Sequence, residues 1–379
     1  MARAPTRLRR LILTVLRLVA ALLLAVFLAE LLVRAAGLRP PPRTPVSNQK
    51  LILKVSEKKI PGLGHMLRPG ARATTVYPGG PSGEDHEVVY EINDLGLREE
   101  SFRAVKGDGV YRVLMVGDSI TYGTGIPLED TMAHRLRPLL AERFPGVAFE
   151  VLNCGVPATN TGQHLALLRS RLAPLQPDLV VLVTTIVDAS GYGDFGPRVY
   201  ERNPASRWIE RLGLTSGRFQ SDELPPRFQT TMALRNRSAL ADLLAHQLYR
   251  QLTGSMLVGN YRACWEPDAP GFLSVRKSLG AMVRLAGTND FRMHVAMFPF
   301  LAGLDGDYPF AAEVQRLAEA CAQLELPFTD LFDALIGRRT IDLQVHAHDR
   351  HPNGFANGLA AVALADALAA GIAEDLAAR

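Results

Sequence analysis

The chain has 379 residues, 47% of them hydrophobic and 21% charged, which is the composition of a globular protein with one large domain or two ordinary ones. Its formal charge of +4 is unevenly placed: residues 1–43 hold eight arginines and one acid, Glu30, leaving 34 basic against 37 acidic residues in the rest. A nucleic-acid binder needs cations on its working surface, so this distribution argues against nucleic acid as a partner.

From the amino end, Leu11–Val33 (LILTVLRLVAALLLAVFLAELLV) is an apolar run of 23 residues, about 35 Å as a helix and enough to cross a bilayer. Arg17 and Glu30 lie near its two ends, where long side chains reach the headgroups. The uncharged stretch Leu18–Ala29 is only 12 residues, so a cleaved signal peptide competes with an uncleaved signal anchor. The absence of a clean small-x-small site before Gly37 favours the anchor. Arg3, Arg7, Arg9 and Arg10 place the amino terminus in the cytoplasm, leaving the rest of the chain periplasmic or extracellular. The expected organisation is a cytoplasmic tip and membrane anchor over 1–36, a Pro-rich linker over 37–50, an extension packing on the core over 51–105, and an α/β domain over 106–379.

Within the extension, Val88–Ile92 reads as a β segment. Beyond it, apolar β-rich runs alternate with amphipathic stretches, the pattern of a parallel α/β sheet. The predicted strands are Tyr111–Val116, Ala148–Leu152, Leu179–Thr184, Arg292–Phe298 and Pro327–Leu331. The predicted helices are Leu128–Arg143, Gly162–Arg171, Ser238–Leu252, Phe272–Leu285, Phe310–Leu324 and Phe355–Ala378. Nearly continuous apolar strands imply a sheet covered on both faces. Ala189–Phe228 has no period; following the third strand, it is expected at the carboxyl edge, where open α/β sheets bind ligands.

Cys154, Cys264 and Cys321 are too few for a disulfide framework and lack metal-ligand spacing. They read as buried small hydrophobes, with Cys264–Cys321 the one bridge an oxidising compartment would allow. No cofactor and no metal is expected.

The chemistry concentrates at two places. The first predicted strand ends in Gly117-Asp118-Ser119, placing a serine in a strand-to-helix turn. A serine hydroxyl becomes a nucleophile when a positioned base takes its proton. His351, in Asp349-Arg350-His351-Pro352-Asn353 before the last helix, is expected on the same edge, with Asp349 to orient its imidazole. Asn353 is placed to cap that helix. His346 and His348 are alternative bases without so well placed an acid.

These segments resemble the SGNH (GDSL-type) hydrolase family. GDSITYG (Gly117–Gly123) matches its first block, Asn153-Cys154-Gly155 the second, and Asp349-x-His351-Pro352-Asn353 the last. Ile92-Asn93-Asp94-Leu95-Gly96-Leu97-Arg98 resembles a feature of membrane-anchored, envelope-facing members. The resemblance implies a flavodoxin-like doubly wound parallel sheet and ester hydrolysis or acyl transfer without a metal. It makes Ser119 the nucleophile, His351 the base and Asp349 the orienting acid, with the Ser119 and Gly155 amides as oxyanion donors. Asp118, Thr185 and Asp188, at the ends of the first and third strands, are expected to contact substrate.

Two departures stand out. The commoner family spacing is Asp-x-x-His, whereas here the acid stands two residues before the base. The family's Gly-x-Asn-Asp also becomes Thr185-Ile186-Val187-Asp188, so Val187 replaces an oxyanion donor, a loss that typically costs about 10²–10³ in kcat. Asn160, or the hydroxyl of Thr184 or Thr185, could stand in for it. Gly287-Thr288-Asn289-Asp290 fits the pattern literally but precedes a strand, at the opposite edge. The expected function is a serine esterase or O-acyltransferase of the cell envelope, acting on acylated glycans or small esters. The alternative is a catalytically weak or inactive binding or assembly protein of envelope polysaccharide metabolism.

Overall fold

The computed structural model describes residues 7–38, 46–48, 52–55, 60–77, 85–190, 234, 237–346 and 349–379. Two compact units emerge: one holds the described parts of Met1–Thr44 and Pro204–Gly254, the other those of Pro45–Asn203 and Ser255–Arg379. Most of the aperiodic stretch Ala189–Phe228 and of the Pro-rich linker lies outside the described residues.

In the first unit, α1 (Arg7–Ala35) carries the apolar run. Leu11–Ala35 is 25 residues long, long and apolar enough to cross a membrane, and its hydrophobic side chains are largely exposed.

The second unit begins with β1 (Val46–Ser47), β2 (Leu53–Val55), β3 (His65–Leu67), β4 (Arg72–Tyr77) and β5 (His86–Glu91). Strands β1, β4 and β5 form an antiparallel sheet with Tyr77 opposite His86, while β2 pairs with β3. Alternation in β4 and β5 turns Ala73, Tyr77, Val88 and Tyr90 into the core.

The α/β part follows as β6 (Val110–Val116), α2 (Ser119–Tyr122), α3 (Met132–Arg143), β7 (Ala148–Asn153), α4 (Thr161–Leu167) and β8 (Leu179–Thr184). After the excursion come α5 (Ala239–Cys264), which begins in the first unit's segment, α6 (Pro270–Asn289), β9 (Arg292–Met297), α7 (Ala311–Ala322) and β10 (Phe328–Asp330). The chain ends with α8 (Thr340–Leu343), a small hairpin of β11 (Gln344–His346) and β12 (Asp349–Pro352), and α9 (Gly354–Ala377).

Strands β7, β6, β8, β9 and β10 lie in that order, all parallel. This is the flavodoxin-like order, with the chain reversing direction at β6 and leaving a crevice at the carboxyl ends of β6 and β8. Both faces are covered. Leu114, Val116, Leu152, Val180, Leu182 and Val295 pack in one apolar layer with Leu167, Phe272, Leu279 and Leu317 of α4, α6 and α7. Val113, Met115, Val151, Val181 and Val183 pack on the other with Leu136 and Leu140 of α3 and Leu364 and Leu368 of α9. The antiparallel sheet joins the first layer through Tyr77, Val88 and Tyr90. Apolar α9 also has the length of a membrane span, but it is the core helix of this second layer.

All three cysteines are free. The predicted helix from Leu128 starts as one 3₁₀ turn and becomes α-helical only at Met132, after Thr131 adopts an extended backbone. Among the described residues, no group of three or more His, Cys, Asp or Glu side chains is arranged to hold a metal ion.

Candidate active site

Strand β6 delivers Gly117 to a crowded point. A Cβ there would lie 2.2 Å from Thr121 Oγ1 and 2.7 Å from the Val183 carbonyl, so only glycine fits between β8 and the turn. Asp118 then caps α2: its Oδ1 accepts the Ile120 N–H at 2.8 Å. This makes Ser119 the first helical residue, partly exposed at the carboxyl edge of the sheet. Gly155, after β7, is a glycine for the same reason as Gly117, since a Cβ would lie 2.2 Å from the Tyr122 backbone nitrogen.

The candidate base, His351, arrives from the far end of the chain. Residues two apart on a strand share a face, so β12 turns Asp349 and His351 the same way. The ring Nδ1 of His351 hydrogen-bonds Asp349 Oδ1, which also accepts the His351 backbone N–H at 3.1 Å. His351 Nε2 lies 2.8 Å from Ser119 Oγ. The two-residue spacing of acid and base is therefore geometrically sufficient. Asn353 fixes the exit of β12, capping α9 through the Ala356 N–H and donating to the Asp342 and Gln344 carbonyls. Of the alternative bases, His346 is buried, and His348 lies outside the described residues.

The electrostatics suit a base. Burial works to lower the His351 pKa, but the Asp349 charge and hydrogen bond, backed by the Asp118 charge, raise it above its ordinary value. Burial works to raise Asp349; the charge and hydrogen bonds of His351, with a hydrogen bond from Tyr77, outweigh it and hold the carboxyl below its usual range.

Other expected site residues sit elsewhere. Asp118, Thr185 and Asp188, expected at the substrate, are all buried, and Thr185 bonds to both carboxylates. Thr185 Oγ1 lies 3.2 Å from both Asp118 Oδ2 and Asp188 Oδ2, and the Thr185 N–H donates to Asp188 Oδ2 at 2.6 Å. Polar residues at strand ends lie inward here because each finds its partner within the cluster. Neither threonine hydroxyl is left for an oxyanion, since Thr184 Oγ1 donates to the Ala296 carbonyl at 3.3 Å. Asn160 caps α4, accepting the Gln163 N–H at 3.1 Å through Oδ1. The Gly155 N–H donates to Asn153 Oδ1 at 3.1 Å. Asn289, in the literal Gly-Thr-Asn-Asp, ends α6 just before β9, at the amino edge of the sheet.

Three supporting residues escaped the reading of the sequence. Arg98 is buried, and its guanidinium donates to the carbonyls of Tyr122, Gly123 and Ile126, bracing the turn that follows Ser119. It also stacks over the rings of Tyr90 and Tyr122, 4.5 and 5.0 Å from their centroids. Glu99 bonds His134 Nε2 at 2.7 Å and the Asn153 N–H at 2.9 Å. Tyr77 donates its hydroxyl hydrogen to Asp349 Oδ2 at 3.0 Å. Arg98 ends the Ile92–Arg98 segment that carried part of the family resemblance, which gave it no role; Glu99 and Tyr77 carried no signal.

No family model matches the chain, and no curated protein is similar to it. Solved structures do resemble it. One is a catalytic mutant of Axe2, an acetylxylan esterase from Geobacillus stearothermophilus, at 14% identity over 68% of this chain and 94% of that one, with a TM-score of 0.40. Another is a lipolytic protein of the G-D-S-L family from Desulfitobacterium hafniense, at 11% identity over 68% and 99%, TM-score 0.37. TesA matches at 16% identity over 68% and 98%, TM-score 0.38. At such identities and TM-scores the likeness concerns fold, and the chemistry stands on the geometry of the site itself.

Proposed function

We propose that the chain is an SGNH-type serine esterase or O-acyltransferase, held to a membrane by α1, with its catalytic part on the periplasmic or extracellular side. The carrying observation is the 2.8 Å approach of His351 Nε2 to Ser119 Oγ, with the other ring nitrogen bonded to Asp349. In this reading His351 takes the Ser119 proton as the hydroxyl oxygen attacks the ester carbonyl. Asp349 stabilises the imidazolium that forms, as in other Ser-His-Asp systems. The Ser119 and Gly155 amides stabilise the oxyanion, the latter by leaving Asn153, with Asn160 as the candidate third donor. The imidazolium then protonates the departing alcohol, and an acyl group remains on Ser119. Water or a sugar hydroxyl, deprotonated in turn by His351, resolves it. Acylated glycans and small esters are the proposed substrates.

Retention of α1 is supported within the first unit. The Glu30 carboxylate accepts the Ser238 hydroxyl at 2.8 Å and the N–H groups of Ala239 and Leu240 at 2.9 and 2.8 Å. Cleavage after α1 would take away the acceptor of the Ala239 and Leu240 N–H groups, leaving Ser238 Oγ to cap α5 through the Ala241 N–H alone. Edman sequencing of the membrane-extracted protein tests this, and a start beyond Ala35 would refute it.

A second reading, a binding or assembly protein with weak or no catalysis, is favoured by Val187 at the usual donor position and by the Gly155 amide already bound to Asn153. One experiment decides between them. A fluorophosphonate probe should label the detergent-solubilised chain at Ser119, Ser119→Ala should abolish labelling, and acetylated polysaccharide should release acetate. A folded wild-type chain that does neither is a binding protein.

A further inference from the structure

In the triad the acid and base share one short strand. Both His351 donors converge on Asp349 Oδ1, leaving Oδ2 to be held from outside the strand. Tyr77 holds it, reaching across 272 positions of sequence with a 3.0 Å hydrogen bond. The tyrosine is itself fixed: it is 1% exposed, it ends β4 opposite His86 of β5, and its ring packs against His86 and His346. Its hydroxyl also lies where a Cβ on Gly125 would be 2.9 Å away, so the turn beyond Ser119 is shaped around it. Burial first, and the Asp349 charge second, push the phenol pKa far above its ordinary value, so Tyr77 remains a donor at any working pH.

Resting on the proposed esterase reading, we infer that Tyr77 is a positioning residue of the triad, supplied by the antiparallel sheet that precedes the α/β core. It locks the Asp349 carboxylate in the orientation that keeps the His351 ring aimed at Ser119. Without it the carboxylate can turn about its own bond, carrying the imidazole with it. The hydrogen bond is to a charged group, and the loss of such a bond corresponds to roughly 10- to 100-fold in rate.

The test uses the full-length chain in detergent and Tyr77→Phe, which keeps the ring and removes only the hydroxyl. With 4-nitrophenyl acetate, kcat should fall about 10- to 100-fold while KM stays within about twofold. In an Asp349→Asn background the same substitution should change kcat less than about twofold, because the oxygen it held no longer carries the charge. A purely structural role would instead lower both backgrounds alike. The low-field proton resonance of His351 Nδ1–H gives a readout independent of turnover and should move in Tyr77→Phe. If Tyr77→Phe does not fold, Tyr77→Met removes the hydroxyl in a different shape and answers the same question. Should the wild type prove inactive and unlabelled, the esterase reading fails while the resonance still judges Tyr77. Unchanged kcat together with an unmoved resonance overturns the inference.

Discussion

Asp188 should carry a proton at neutral pH, and Asp188→Asn should therefore stabilise the protein more as pH rises. The hydrogen inventory around it requires this. Thr159 Oγ1 gives its one hydrogen to the Val156 carbonyl at 2.6 Å, so it must accept from His164 Nε2–H at 2.9 Å. Nδ1 of His164 is then a bare acceptor, and it faces Asp188 Oδ1 at 3.5 Å with both side chains fully buried. Burial pushes the His164 pKa down to about 3, so the ring does not protonate to resolve the conflict. A proton on Asp188 Oδ1 does, while Oδ2 still accepts the Thr185 N–H and Thr185 donates to Asp118. Burial and the nearby Asp118 charge both raise the Asp188 pKa. Asp118 is raised by burial as well, but the Ile120 N–H and the His351 charge pull it back. A buried acid that stays protonated while its unfolded form titrates near about 3.9 costs about 1.4 kcal/mol for each pH unit above that value, or roughly 4 kcal/mol at pH 7. The sign follows: the raised pKa contributes its full stability below about pH 4 and loses it as pH rises toward the folded value. Asparagine does not titrate and can donate to His164 Nδ1. Urea unfolding of both proteins between pH 4 and 8 should show the asparagine variant gaining on wild type by up to roughly 4 kcal/mol by pH 7. A difference that stays flat, or falls with pH, means Asp188 is ionised in the fold and the inventory is wrong.

Catalysis in the proposed mechanism needs neutral His351, and its raised pKa puts the acid limb of the kcat/KM profile above the ordinary value of about 6.5. Asp118→Asn removes one of the charges that raise it, so the limb should move to lower pH; an unmoved limb would show that Asp118 does not act on the base. Val187→Asn restores an amide in the turn after β8 and should raise 4-nitrophenyl acetate turnover by about tenfold or more. No gain would mean that another donor already serves the oxyanion.

The central sheet was readable because its strands are short, almost uninterrupted apolar runs; Leu179–Thr184 is observed with the predicted ends. Ser119, Asp349 and His351, the proposed nucleophile, acid and base, stood out for a different reason, since each sits in a compact polar motif beside an apolar element. The hairpin that joins Asp349 and His351 was not. Gln344–His346 and Asp349–Pro352 are only three and four residues long and mostly polar, too short for any alternation to mark a strand. The burial of Asp118, Thr185 and Asp188 was hidden too, because strand-end polar residues face substrate or one another depending on neighbours no local pattern reveals. Tyr77 left no signal at all, its partner lying 272 positions away.

The distance between Tyr77 and its partner bears on how the candidate site is built. The carboxyl end of β6, in the parallel sheet, and β12, in its separate hairpin, meet at one rim, which suffices to bring Ser119 and His351 together. That does not suffice to hold them. The turn after Ser119 exposes three carbonyls, at Tyr122, Gly123 and Ile126, that helix α2 is too short to satisfy. Arg98 donates to all three, and beside its guanidinium lies Tyr90 of β5, whose ring stacks on Tyr122 with centroids 5.4 Å apart. The free oxygen of Asp349 is held by Tyr77 of β4, and the Gly125 N–H by the Tyr90 hydroxyl at 2.8 Å. Every one of these supports precedes β6 in the chain. The antiparallel sheet and the segment after it therefore supply hydrogen bonds to the turn after Ser119 and to Asp349 that the doubly wound core does not. The proposed reacting residues and the residues that hold them thus come from different sheets of the same unit.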